Sequence, residues 1–529
     1  TMAPDPTAGT FAVDTISPIV TAPDLGAISV ATASGATVTE ANIASYLWEK
    51  LTGPGTITFS STSILNPNIS ADTNGSYTAR LTVTDTAGNI TSDDMSFTWD
   101  SSLPIVTSAT ASPNPAKDGT VTITVDFDKA MNTAIDPSVT ITGLTGSYTA
   151  IQSSYSGSTW TGTFTLADNN EDTTATISVS GAEDTIGNTM APDPTAGTFA
   201  VDTISPSVLL TSASPANVNT AFTVTAVFSE AVTDFTVGDI VIMNGAASDF
   251  TGTGDTYNFT VTPAANGVVT VSVPSNVAVD VADNFNTAAT PLARNYNADQ
   301  PTVWISSLSP DPTNGIITVT VAFSADVTGF DMADLALTNA IAQNFSGSGD
   351  SYTFEIDPSD GESVAVSVQI PADVAVDVFN NSNTASNTLN YIADTVEPLI
   401  SIIASDLGVI STSTAPSITV TDANGIATYA WSKVTGTGNI IFTPSNDILE
   451  PNLSADQDGA YQALLTVTDN AGNQATQTVD FIWDTTAPVI TTNTINPNPT
   501  GDTTPSLDGN AVDLFSSISS VEYSLNGVD

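Results

Sequence analysis

The chain has 529 residues, enough for several domains, and sets 56 acidic residues against six basic ones for a net charge of −50. That balance argues against nucleic acid or an anionic membrane surface as direct partners, since both are held by Lys and Arg. The chain has no histidine and no cysteine, which removes Ser-His-Asp and Cys-His catalysis, disulfides and ordinary zinc sites.

Residues 1–18 and 189–206 are identical and end in Asp-Thr-Ile-Ser-Pro. Variants of that ending recur as Asp14-x3-Pro18, Asp100-x3-Pro104, Asp202-x3-Pro206, Asp299-x-Pro301, Asp394-x3-Pro398 and Asp484-x3-Pro488. Alternating apolar runs feed most of these aspartates: Phe11-Ala-Val13, Phe97-Thr-Trp99, Phe199-Ala-Val201 and Phe481-Ile-Trp483. The pattern predicts a last β-strand, an acidic hinge, and a proline opening the next unit. It divides the chain into units 18–100, 101–203, 204–298, 299–394 and 395–484. Residues 1–17 read as the C-terminal strand of a preceding repeat, and 485–529 as the start of a further one. The sequence reads as an excerpt of a longer chain whose targeting signal lies elsewhere.

Units 18–100 and 395–484 are paralogous. Tyr46-Leu-Trp48 aligns with Tyr429-Ala-Trp431, and the run from Tyr77 to Asn89 with that from Tyr461 to Asn473. These resemble polycystic-kidney-disease-like (PKD-like) immunoglobulin-like repeats, which carry a Tyr-x-Trp strand and a Leu-Thr-Val-Thr-Asp strand. In units 204–298 and 299–394, Phe228-Ser-Glu230-Ala-Val232 matches Phe323-Ser-Ala-Asp326-Val327. Phe250-Thr-Gly-Thr-Gly-Asp-Thr-Tyr257 likewise matches Phe345-Ser-Gly-Ser-Gly-Asp-Ser-Tyr352. This second pair resembles the bacterial immunoglobulin-like repeats of large surface adhesins. Unit 101–203, with the alternating run Val121–Asp128, resembles a third variant.

Short β-branched strands separated by Gly, Asn and Asp turns predict an all-β fold, a tandem array of Greek-key β-sandwiches with no helix beyond single turns. Set end to end, five sandwiches would form an elongated rod about 200 Å long. Trp48 and Trp431, mid-strand, read as core residues, and Trp99 and Trp483, beside junction aspartates, as interface packing.

The acids are patterned. Every complete unit has Asp-x3-Asn near the start of its final strand: Asp85/Asn89, Asp184/Asn188, Asp280/Asn284, Asp377/Asn381 and Asp469/Asn473. Each also has acid at the end of an early strand: Glu40, Asp126 and Asp128, Glu230, Asp326, Asp422. In a seven-stranded sandwich both loops return to the N-terminal pole, where the junction aspartate enters. The expected clusters are Asp14, Glu40 and Asp85; Asp100, Asp128 and Asp184; Asp202, Glu230 and Asp280; Asp299, Asp326 and Asp377; and Asp394, Asp422 and Asp469.

Three like charges within a few ångströms repel unless a cation neutralises them. Ca²⁺ suits such a site better than Mg²⁺, because it accepts six to eight oxygens in loose geometry. The resemblance to adhesin repeats also implies Ca²⁺ at domain junctions. Asp-x-x-Gly-Asn reads equally as an ordinary side-chain-closed turn.

The sequence is thus read as a non-enzymatic stalk of a bacterial cell-surface adhesin or fibre, extracellular and stiffened by Ca²⁺. Its partners are its own neighbouring repeats, and a cell or host surface or other copies of itself, with no nucleic acid and no direct membrane insertion. A self-assembling filament, sheath or surface layer, and a ligand- or glycan-binding array, remain as alternatives.

Overall fold

The computed structural model describes residues 12–492 and 508–522. Phe11 and most of the strand expected before Asp14 lie outside the described residues, as does much of the final fragment. Of that fragment, Val489–Thr492 pairs antiparallel with Gly509–Val512. Helix among the described residues amounts to two three-residue 3-10 turns, Val237–Asp239 and Met332–Asp334. No helix among them is long and apolar enough to cross a membrane.

Two compact units are distinguished. The first comprises Thr1–Ser214, Ala221–Ala264 and Val268–Ala293; the second comprises Pro215–Thr220, Ala265–Gly267 and Arg294–Asp529. In the first unit, Val106–Ser112, Gly119–Phe127, Thr159–Leu166 and Ile151–Ser156 form one four-stranded sheet. Tyr148–Thr149, Ser138–Thr142, Asp172–Ser180 and Asp193–Asp202 form the facing one. In Ig nomenclature this is ABED against C′CFG, the predicted Greek-key sandwich. Period-two alternation explains it. Val121, Ile123, Val125 and Phe127 turn inward onto Trp160, Ile177, Val179 and Phe199, while Thr120, Thr122 and Thr124 face out.

Also in the first unit, Gly26–Ile28, Ile90–Trp99, Gly75–Asp85 and Ile43–Thr52 form a sheet packed over Thr32–Ala33, Asn68–Ala71 and Ile57–Phe59. Its first pair is parallel. Trp48 is buried, with its indole Nε1–H donating to the Leu65 carbonyl at 3.3 Å. Tyr77 stacks on Phe97 at 5.2 Å.

The second unit holds a PKD-like domain of the same design and an Ig-like sandwich of two three-stranded sheets. Asp406–Ile410, Gln474–Trp483, Gly459–Asp469 and Ile426–Thr435 form the PKD-like sheet, with Trp431 buried and Tyr461 on Phe481 at 5.3 Å. Val303–Ser306, Ile317–Val327 and the long strand Ala340–Pro358 face Ala336–Thr338, Val364–Gln369 and Leu389–Ala393. Trp99 and Trp483 differ from expectation in pointing into the cores of their own domains. They end strands whose inward positions alternate from Phe97 and Phe481.

Candidate functional site: the domain junctions

All five Asp-x3-Asn loops close in the same way. The aspartate Oδ1 accepts the backbone N–H of the asparagine four residues on, at 2.8–2.9 Å. Its Oδ2 accepts the asparagine Nδ2–H at 2.7–3.1 Å. The third residue after the aspartate is left-handed in every loop (Gly88, Gly187, Asp283, Asn380 and Gly472, with φ from 66° to 99°), so Gly, Asn or Asp occupies it. The turn reading is therefore correct as local structure.

The asparagine then reaches out of the loop. The same Nδ2 donates to the carbonyl of the linker residue entering the domain. Asn89 binds Asp14 at 3.2 Å, Asn188 binds Asp100 at 2.8 Å, and Asn284 binds Asp202 at 2.9 Å. Asn381 binds Asn297 at 2.9 Å and Asn473 binds Asp394 at 2.8 Å. The preceding domain also rests on four of these loops. Ser29 Oγ donates to the Ile186 carbonyl, Lys117 Nζ to that of Asp283, Asn219 Nδ2 to that of Asn380, and Asn314 Nδ2 to the Asn473 side-chain oxygen.

Three expected triads come together: Asp14, Glu40 and Asp85; Asp202, Glu230 and Asp280; and Asp394, Asp422 and Asp469. In each, one carboxylate oxygen per residue lies within 4.8 Å of the others, so each group can hold a metal ion. Asp85, Asp280 and Asp469 are buried, at 1%, 3% and 1% exposure. At that spacing the like charges repel one another, most where water is excluded from between them. The cost registers most at Glu230, whose carboxyl is pushed up to about 7 by desolvation first, then by Asp202, Asp280 and Asp172. Desolvation, with Asp280 and Asp172, also raises Asp202, and desolvation, with Asp394 and Asp469, raises Asp422. Asp172 is a fourth acid that the sequence did not single out; it lies directly across the strand pair from Asp202.

The other two expected groups do not form among the described residues. Asp128 is exposed, and its Oδ1 caps the Ile105 N–H at 3.0 Å. Ser229 and Ser324 cap Ser207 and Thr302 in the same manner, so the junction-facing position is the next residue: Lys129, Glu230 or Ala325. Asp326 is therefore one residue past the site, and a one-residue step along a strand turns a side chain to the opposite face. Asp299 is likewise out of place. The residue whose side-chain oxygen caps the N–H two positions on is Asn297, as Asp14, Asp100, Asp202 and Asp394 do elsewhere. Asp299 instead accepts from Asn266 Nδ2 at 2.7 Å. The junction is Asn297-x3-Pro301, leaving Asp377 as the carboxylate among its three positions.

At the Asp100 junction a cation is already in place. Lys129 Nζ lies 3.0 Å from Asp100 Oδ2 and 3.6 Å from Asp184 Oδ2, and donates to the Ser102 carbonyl at 2.7 Å. The donor set around this ammonium, two carboxylates and a carbonyl, is the oxygen-only chemistry that a hard divalent cation takes.

Residues 202–296 and 297–393 match the family model of a bacterial Ig-like domain. Residues 27–98 and 411–482 match that of a PKD domain. No curated protein matches the chain. Among solved structures, invasin, described as a bacterial integrin-binding protein, is 13% identical over 74% of this chain and 81% of its own, with a TM-score of 0.30. A 1.5-MDa bacterial ice-binding adhesin is 16% identical over 56% and 99%, with a TM-score of 0.28. Domains 1–5 of protocadherin gamma B2 are 11% identical over 83% and 93%, with a TM-score of 0.24. The chain carries tandem bacterial Ig-like and PKD-like domains.

Proposed function

We propose that this tandem of bacterial Ig-like and PKD-like domains is the stalk of an extracellular bacterial adhesin or surface fibre, with Ca²⁺ setting the stiffness of some junctions. The observation that carries the reading is the Asp202, Glu230 and Asp280 triad. Its three carboxylates belong to the linker, an early strand and the Asp-x3-Asn loop. A cation bound among them ties the entering chain to the domain it enters. Hard oxygen ligands and loose geometry favour Ca²⁺ over Mg²⁺. The role is mechanical rather than catalytic: sandwiches linked by short acidic hinges project whatever lies beyond them.

Small-angle X-ray scattering of the full chain, in EGTA and then in millimolar Ca²⁺, tests it. A longer maximum dimension with Ca²⁺, partly lost in Asp202→Ala, is expected. An unchanged dimension, with no bound Ca²⁺ by equilibrium dialysis, would remove the calcium mechanism.

A further inference from the structure

We propose that Lys129 is a built-in cation. Its ammonium does at the Asp100 junction what a divalent ion does at the Asp14, Asp202 and Asp394 junctions, so the Asp100 junction stays clamped whether or not ions are present. The inference rests on the calcium reading above and specifies which junctions respond.

The equivalence is set by the backbone. In Phe127-Asp128-Lys129 and Phe228-Ser229-Glu230, the middle residue donates its N–H to the carbonyl of the residue just before the preceding edge strand, Ile105 and Ser207. Its side chain accepts the N–H of that same residue in return. The third residue is thereby delivered to one place, beside the linker aspartate and the loop aspartate. It is Glu230 in one domain and Lys129 in the other.

Lys129 is anchored there. Its side chain is 19% exposed, and Nζ contacts Asp100 Oδ2, Asp184 Oδ2, the Ser102 carbonyl and Ser102 Oγ, the last at 2.8 Å. Asp184 is 1% exposed, so its charge has little access to solvent. Asp184 also accepts from the Ile186 and Asn188 N–H groups and from Asn188 Nδ2, and the ammonium sets a compensating positive charge beside this buried carboxylate.

The formal charges agree. At the Asp14 and Asp394 junctions, three carboxylates with a divalent cation leave one net negative charge. So do two carboxylates with an ammonium at Asp100, Lys129 and Asp184. Only six Lys and Arg stand against 56 acids in the whole chain, and one of the six fills this position.

Hydrogen exchange of the full chain, read by mass spectrometry on peptides covering 100–105 and 184–189, tests the proposal alongside equilibrium dialysis of Ca²⁺. In the wild type these peptides are equally protected in EGTA and in Ca²⁺, and one ion is expected at each of the three triads of the described residues. Lys129→Met exchanges about tenfold faster there in both conditions, while the core strand Gly119–Phe127 stays protected, showing that the domain is folded. Lys129→Glu exchanges fast in EGTA, recovers in Ca²⁺ and binds one ion more than the wild type.

Wild-type exchange in Lys129→Met, or no additional ion in Lys129→Glu while the other junctions bind theirs, overturns the proposal. A wild type that binds no Ca²⁺ overturns the calcium reading instead. In that case fast exchange in Lys129→Met upholds the clamp and wild-type exchange rejects it.

Discussion

Asn188 Nδ2 donates both to the Asp100 carbonyl, at 2.8 Å, and to Asp184 Oδ2, at 2.9 Å. One amide thus joins the linker entering a domain to the loop that closes it, and the same bridge recurs at each of the five junctions. Its arm to the Asp100 carbonyl joins two neutral groups and needs no ion, while its other arm ends on the Asp184 carboxylate.

Asn284→Ala is the direct test of that bridge. It leaves the Asp202 carbonyl and Asp280 Oδ2 without the amide they accept from, a loss of about 1–3 kcal/mol. Exchange across 280–284 should quicken by about tenfold to a hundredfold. Asn284→Asp should not rescue it, because a carboxylate offers no N–H and adds charge beside Asp280. Equal protection in wild type and Asn284→Ala would show that the turn holds without the bridge.

The core should behave differently. Trp48 and Trp431 are each 2% exposed, and truncation of either to Ala costs about 3–5 kcal/mol. Urea unfolding of the full chain, followed by peptide-resolved exchange, should show the loss confined to the variant's own PKD-like domain. The loss should be the same size with and without Ca²⁺, since neither Trp touches a junction carboxylate. A Trp48→Ala loss that Ca²⁺ reverses would contradict this separation of core and junction.

Glu230 supplies a pH dependence. Its carboxyl is raised from the ordinary 4.5 to about 7, so its stabilising contribution is complete below about 4.5 and is lost as pH rises through about 7. In EGTA, calorimetry of the full chain should show one transition moving to lower temperature between pH 5 and pH 8. Glu230→Gln should flatten that slope, because the amide does not titrate. Saturating Ca²⁺ should flatten it too, since the ion stabilises the deprotonated form. Identical slopes in wild type and Glu230→Gln would show that neither burial nor its neighbours' charges raise the Glu230 carboxyl.

Much of this was legible in the sequence, because two-residue alternation and a repeated Asp-x3-Asn are local signals. Val121 to Phe127 announced an inward face, and Tyr46-Leu-Trp48 its core tryptophan. Topology then correctly brought three acidic triads to one pole. Failures came where a neighbouring acid imitated the right one. Asp128 and Asp326 each lie one residue from the junction-facing position, and composition does not show which face a residue takes. Asp299 conceals Asn297, because an asparagine does the same capping without carrying the charge that marks the other junctions. Lys129 stands outside the acidic pattern because it carries the opposite charge. Its signal was available in the alignment of Phe127-Asp-Lys129 with Phe228-Ser-Glu230.

The Asn297 junction gives the sharpest test of these positional rules. Its three positions hold Asn297, Ala325 and Asp377, and the Asn381 bridge to the Asn297 carbonyl is intact at 2.9 Å. The backbone is therefore the same as where a triad forms, and two carboxylates are missing. Asn297→Asp combined with Ala325→Glu should restore the triad and add one Ca²⁺ to the number bound by the full chain in equilibrium dialysis. Exchange across 377–381, insensitive to EGTA in the wild type, should become about tenfold faster in EGTA and return with Ca²⁺. Moving the glutamate one residue on, in Asn297→Asp with Asp326→Glu, should add no ion, since that side chain faces away from the junction. An added ion in the second variant but not the first would mean that the register drawn from Ser229 and Ser324 is wrong.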